Sequence, residues 1–351
     1  RLEAMETGVP TEEVLIWEFW APKSHIGKVE NAVNAYSDFT EFAVVDPDEG
    51  EEAPTLLKNA PWSSCIEPLT IMYGTPTYGG VDPTSLMAPF FYLFLGMCFG
   101  DAGYGLVVAG ILCYLIVRHR LTPTLRKFFT LMTVGMVVSV IFGAITGSWF
   151  GDSVTAFPFL SGIAPALKKI QLLDPMNDPM TLLLISLALG FIQVIFGLVI
   201  AFSENWKIGD KVAAVSDQGG WIVFLIGLVM FGCSMTGYLP ESLVMPSEVV
   251  AVAGALILVA TQGRGKEGFF AKLFSGVLSL YNVTGFLGDV LSYSRLLALG
   301  LGSAAVGMVI NLLANLVSGT PYVGIVLAVI IFVLGHTFSI VVNLLGAFIH
   351  S

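Results

Sequence analysis

Arg295 lies in GDVLSYSRLLALGL (288–301), and more than 20 largely apolar residues follow it before the next turn. An arginine at the centre of a membrane helix costs roughly 2.5–3.5 kcal/mol on insertion scales. Its guanidinium does not release its proton, so it is no relay station. It can act as a fixed positive charge that forces an approaching carboxylic acid to ionise. Asp289 stands six residues earlier, on the opposite helix face, so such a carboxylate must come from another chain. Polar residues flank Arg295 on both sides: Asp289 and Ser292 before it, Ser303 after it. His336, Asn343 and His350 recur every seven residues and share one face of the closing helix. Asp101 interrupts a separate apolar run within GDAGYG (100–105). The expectation is an ion path through Asp101, Asp289, Ser292, Ser303, His336, Asn343 and His350, arranged about Arg295 as two offset half-channels. The plainer alternative for each polar residue is an interhelical hydrogen bond, worth ~0.6 kcal/mol on average in membranes.

Other chemistry finds no support. QGRGKEG (262–268) has Gly-Lys without the earlier glycine or the following Ser/Thr of a phosphate loop, so ATP binding is not expected. HExxH and GxSxG motifs are absent, which removes those enzyme classes. The four cysteines, Cys65, Cys98, Cys113 and Cys233, show no paired spacing, so neither a disulfide framework, a metal site nor a cofactor is expected. A stand-alone secondary transporter that binds an anionic substrate at Arg295 is the competing function. Internal repeats would favour it, and no second copy of the arginine motif or of GDAGYG occurs.

The elements that must hold these residues are membrane helices. Of 351 residues, 55% are hydrophobic and 12% charged, half the ~25% charge of a soluble domain, and mean hydropathy is +0.82. About 20 apolar residues cross ~30 Å of hydrocarbon. Such runs cover 86–117, 128–150, 180–203, 219–238, 247–262, 273–317 and 322–351. GDAGYG breaks the first run into a hairpin of two short arms. With that hairpin, nine basic residues (Arg118, Arg120, Arg126, Lys127, Lys207, Lys211, Arg264, Lys266, Lys272) share the cytoplasmic side. Only Lys168 and Lys169 face the other way, a positive-inside bias that a single first span would invert. The fold expected is an all-α polytopic membrane domain of eight segments. Its last two helices, Val290–Val317 and the one from Tyr322, are long enough to be tilted. The recurrence Gly143, Gly147, Gly151 points to close packing.

Residues 1–85 differ. They hold 15 of the 26 acids and 4 of the 16 basic residues, which argues against nucleic acid as a partner. Residues 14–22 and 39–45 read as strands around a helix at 23–37, a small α+β cytoplasmic fragment followed by an acidic linker, 46–54. The expected division is 1–85, the end of a cytoplasmic region with further sequence upstream, and 86–351, the membrane ion-translocation domain.

GDVLSYSRLLALGL resembles the signature of the membrane stator subunit of V/A-type ATPases, subunit I of prokaryotic enzymes and subunit a of eukaryotic ones. APFFYLFLGMCFGDAGYG (88–105), GSWFGD (147–152), DPMTLLLISLALG (178–190), GDKVAAVSDQGGWIVFLIGL (209–228) and NLLGAFIHS (343–351) follow the family in order. The resemblance implies a non-catalytic subunit whose Arg295 faces the carboxylate of a proteolipid ring, with ATP chemistry on other subunits. It implies peripheral-stalk and central-stalk-cap partners for the N-terminal region, and a prokaryotic cell membrane as the site. Eukaryotic members carry Glu where Asn343 stands, and the family pattern continues past Ser351 with Leu-Arg, so a second arginine is expected downstream.

Overall fold

The computed structural model describes residues 9–10, 15–36, 40–46, 51, 53–160, 162–264 and 268–351. They belong to two compact units, 1–58 with 71–82, and 59–70 with 83–351. In the first unit, β1 (Val9–Pro10) pairs antiparallel with β2 (Leu15–Ile16). The helix expected there forms as a 3-10 turn, Lys23–His25, and α1 (Ile26–Asn34). The second strand expected over 39–45 is not formed: 40–46 carry no regular structure. An alternating pattern makes a strand only where a neighbour takes up its backbone groups, and among the described residues none lies beside this one. The acidic stretch 46–54 and Lys266 fall largely or wholly outside the described residues.

The second unit is helical. After α2 (Glu67–Tyr73) come α3 (Thr84–Phe99), α4 (Ala102–Arg118) and α5 (Pro123–Thr146). The expected break falls at Gly100–Asp101. Gly100 ends α3 with φ +58°, a left-handed turn suited to glycine, and Asp101 caps α4. Both arms lie along α5. A Cβ on Gly135 would meet Leu95, one on Gly105 would meet Met136 and Val140, and one on Gly143 would meet Asp101 and Ala102. The tip of the pair is therefore at Gly143, and both arms lead back toward the start of α5. Phe94, Leu95, Phe99, Tyr104, Leu131 and Met136 fill the core between them. Glu67 of α2 is ion-paired with Lys127 at the start of α5.

The connection from α5 holds two short helices, α6 (Ser153–Ala156) and α7 (Ala164–Lys168). Asp178 caps α8 (Pro179–Ile208); the Thr181 hydroxyl, then its N–H, hold the Asp178 carboxyl below the usual carboxylate range. A turn at Lys211–Ala213 and a π-helical stretch, Ala214–Gly219, lead into α9 (Gly220–Met235). α9 packs closely on α10 (Val244–Thr261), where Gly227 faces Ala251 backbone and Gly254 faces Phe224 backbone. Asp217 of the π stretch takes a bidentate pair from Arg264 at 2.7 and 2.8 Å. α11 (Phe269–Ser279), α12 (Val283–Ser292) and α13 (Ser294–Ser318) form one broken rod, followed by α14 (Gly324–His350).

Among the described residues six helical stretches are long and apolar enough to cross a membrane, and α3 and α4 are shorter apolar helices. Outward faces such as Val309, Leu312, Leu316, Val329, Val333 and Phe338 are exposed and apolar. The molecule is a multi-pass membrane protein. Two expectations change. The helix expected as continuous from Val290 breaks at Tyr293, whose ring is seated on α8 as described below. The glycine recurrence does give close packing, but against three partners: Gly143 meets α4, Gly147 meets Gln171, and Gly151 meets Gly307 and Met308 of α13.

Candidate functional site

α13 and α14 lie antiparallel and meet through three polar rungs. Arg295 Nη1 is 3.0 Å from His350 Nδ1; a guanidinium only donates, so the ring nitrogen accepts. Asn343 Nδ2 donates to Ser303 Oγ and Ser339 Oγ, each at 3.0 Å. His336 Nε2 is 3.0 Å from Asn311 Oδ1. The seven-residue spacing on α14 thus meets an eight-residue spacing on α13: 295, 303, 311.

The third rung has a definite proton arrangement. Asn311 Nδ2 donates to the Phe150 carbonyl and to Asp152 Oδ1, both at 2.8 Å, which turns its oxygen toward His336. Nε2 of His336 therefore donates, and Nδ1 accepts from the Tyr104 hydroxyl at 2.7 Å. The Ser339 hydroxyl bonds to Tyr104 in turn. Donation runs from Asn343 to Ser339, from Tyr104 to His336, from His336 to Asn311 and from Asn311 to Asp152. Phe150 and Phe332 pack edge-on against the His336 ring.

Asp101 belongs to neither ladder nor cavity. It is fully buried, and its oxygens accept from Tyr104 N (2.9 Å), Phe150 N (3.0 Å), Gly151 N (2.8 Å) and Ser148 Oγ (2.6 Å). A carboxylate so saturated pins the 148–151 loop to the start of α4. Asp289 is exposed on α12; its carbonyl accepts from the Ser292 hydroxyl at 2.6 Å, and among the described residues no ion pair joins it to Arg295.

Arg295 owes its position to the break before it. Tyr293 sits between α12 and α13, with its hydroxyl bonded to Gln193 of α8. Its ring fills the space over Gly190, where a Cβ would come within 2.3 Å of Cδ2, and it packs 5.2 Å from Phe94. The first turn of α13 then presents Arg295 on an exposed face.

Two cavities flank this turn. The larger, about 350 Å³, runs from Gln171 and Asn177 past Ser148 and Asp152 to Gly300 and Leu296. The smaller, about 140 Å³, holds Arg295, His350, Ser292 and Tyr293, and Leu296 also lines it. Among the described residues no group of three or more His, Cys, Asp or Glu is placed to hold a metal ion. The residues the sequence reading left out are Tyr104, Asn311, Ser339, Tyr293 and Leu296. An amide inside the apolar run INLLANL (310–316) was the signal available for Asn311.

Residues 3–151 match the V-type ATPase 116 kDa subunit family. The A-type ATP synthase subunit I of Methanocaldococcus jannaschii is 32% identical over 367 residues, covering 97% of this chain and 52% of the relative. The same subunit of Pyrococcus abyssi is 32% identical, over 95% of this chain and 49% of the relative. The V-type ATP synthase subunit I of Borreliella burgdorferi is 28% identical, over 95% and 55%. The chain spans about half the length of these relatives. Over nearly its whole length the chain is thus similar to subunit I of A-type and V-type ATP synthases, and its residues 3–151 match the V-type ATPase 116 kDa subunit family.

Proposed function

We propose that this chain is the membrane stator of a rotary V/A-type ATP synthase, non-catalytic itself, which moves H⁺ or Na⁺ between two half-channels against a proteolipid ring. One observation carries the reading. The Arg295 guanidinium stands on an exposed, otherwise apolar stretch of α13, with His350 as its hydrogen-bond partner and no carboxylate within ion-pair reach among the described residues. A charge placed so needs an anion from outside, and a ring carboxylate supplies one. Each arriving acid meets the fixed charge, ionises and releases its ion, since an opposite charge within ~4–6 Å lowers a carboxyl pKa by roughly 1–3 units. It must be neutral again before it re-enters lipid.

In this reading the larger cavity is the outer access route and the smaller one, with Ser292 and His350, opens toward the cytoplasm. The two short arms count as membrane segments, giving eight with both ends cytoplasmic, and α13 and α14 lie tilted against the ring. Residues 1–85 belong to a cytoplasmic region that binds peripheral-stalk and central-stalk-cap subunits, 86–351 form the ion-translocating domain, and the site of action is a prokaryotic cell membrane. Arg295→Ala and Arg295→Lys should each abolish ATP-driven pumping by the assembled complex in sealed vesicles, while the detached soluble head still hydrolyses ATP. Lysine fails because it loses the planar fork and deprotonates when desolvated. Near-normal pumping by either variant overturns the proposal.

A further inference from the structure

The two cavities approach each other at one side chain. Leu296 is the residue common to both linings, and it is 3% exposed. It follows Arg295 directly, so the charge and the seal occupy one turn of α13. The wall continues on α3, where Phe94 borders the smaller cavity and Met97 the larger; both are buried. Leu296 offers water nothing to bond, and its own N–H is spent on the Tyr293 carbonyl at 3.0 Å.

We propose that Leu296 is the dry partition between the outer cavity and the Arg295 chamber, so that the two connect only through the ring. This rests on reading the cavities as the two ends of the ion path. Hydrophobic constrictions close by dewetting rather than by charge, so Leu296 and Arg295 are barriers of different kinds. The guanidinium repels a cation but hydrogen-bonds water, whereas leucine excludes the water that would carry a proton. Exclusion also keeps the field of Arg295 unscreened for the arriving carboxylate. Leu296→Ala removes three carbons from the side chain that lines both cavities, enough to admit a water molecule, whose share of liquid volume is about 30 Å³.

The test uses the intact complex in sealed proteoliposomes, with an imposed diffusion potential and no ATP. Passive entry of protons is read by an internal pH dye and that of sodium by a tracer. Leu296→Ala should raise the leak of the coupling ion at least tenfold while ATP hydrolysis persists. Leu296→Met, which keeps an apolar plug of similar volume, should leak like the unmodified complex. Leu296→Ala combined with Arg295→Ala should leak more than either alone. A leak within twofold of the unmodified complex in an assembled Leu296→Ala complex overturns the proposal. Should that variant fail to assemble, Leu296→Val replaces it: a raised leak supports the partition and an unchanged one overturns it. Loss of pumping by Arg295→Ala with no leak from Leu296→Ala removes the partition alone. Pumping that survives Arg295→Ala removes the stator reading whatever Leu296 does.

Discussion

Replacing Asp101 with asparagine exchanges one of two fully engaged oxygens for an amide nitrogen. The remaining oxygen can keep the Tyr104 and Phe150 N–H groups, which share Oδ1. The new NH₂ then faces the two partners of Oδ2, Ser148 and Gly151. Ser148 can rotate its hydroxyl and accept, but the Gly151 N–H cannot. One buried donor is orphaned at a site with no solvent exposure, a cost of about 1–3 kcal/mol. Asp101→Ala orphans three backbone N–H groups, about 3–9 kcal/mol on the same scale, comparable to a whole fold's stability. Ser148→Ala removes one of four partners and costs about 1 kcal/mol. The chain carries its own reporters, because Cys65 and Cys98 are buried, while Cys113 is exposed and Cys233 partly so. With Cys113 and Cys233 replaced, uptake of a thiol dye on heating in detergent reads unfolding. The order of stability should be unmodified, Ser148→Ala, Asp101→Asn, Asp101→Ala. If Asp101→Asn melts like the unmodified chain yet stops ion flux, the carboxylate works in the ion path and the pinning argument is wrong.

Two further outcomes follow from the same geometry. His336→Leu leaves the Tyr104 hydroxyl hydrogen without its acceptor and Asn311 Oδ1 without its donor, so it should cost about 2–6 kcal/mol in the dye assay. Asn343→Leu should cost less, because Ser303 and Ser339 can turn their hydroxyls to helix carbonyls. Gly190→Ala drives a methyl into the Tyr293 ring, an overpacking of about 1–3 kcal/mol. It should lower ATP-driven pumping while the complex still assembles, and Tyr293→Leu in the same chain should recover part of the loss; full pumping by Gly190→Ala would separate the break from the placement of Arg295.

Helices and their breaks were legible wherever apolar length or glycine decided them. The GDAGYG interruption, the spans and the isolated arginine all act through local composition. The seven-residue spacing of His336, Asn343 and His350 did put them on one face, because helix periodicity needs no partner. What faced them could not be read: α13 answers with a spacing of eight, and Asn311 sits among leucines whose pattern hides it. Asp101 was expected on the ion path because an acid in an apolar run is rare. Three of its four donors, the Ser148 hydroxyl and the N–H groups of Phe150 and Gly151, lie about fifty residues on, and backbone N–H groups leave no mark in sequence. The strand expected over 39–45 failed for the converse reason, since alternation reports a compatible surface and not the neighbour that must pair with it.

The back of α13 also has a mechanical meaning. Gly100 lies against Gly300, and Gly151 against Gly307. Asn311 and Asn315 are tied to carbonyls of Phe150 and Ala156 at 2.8 and 2.7 Å. Contacts of backbone on backbone have no rotamers through which to yield. A sideways load on the exposed face of α13 therefore passes into the loop at 147–156 and the tip of the α3–α4 pair almost without give. On the proposed stator reading, any spring that stores torque between steps would lie elsewhere in the assembly, with this part of the chain as its rigid mount.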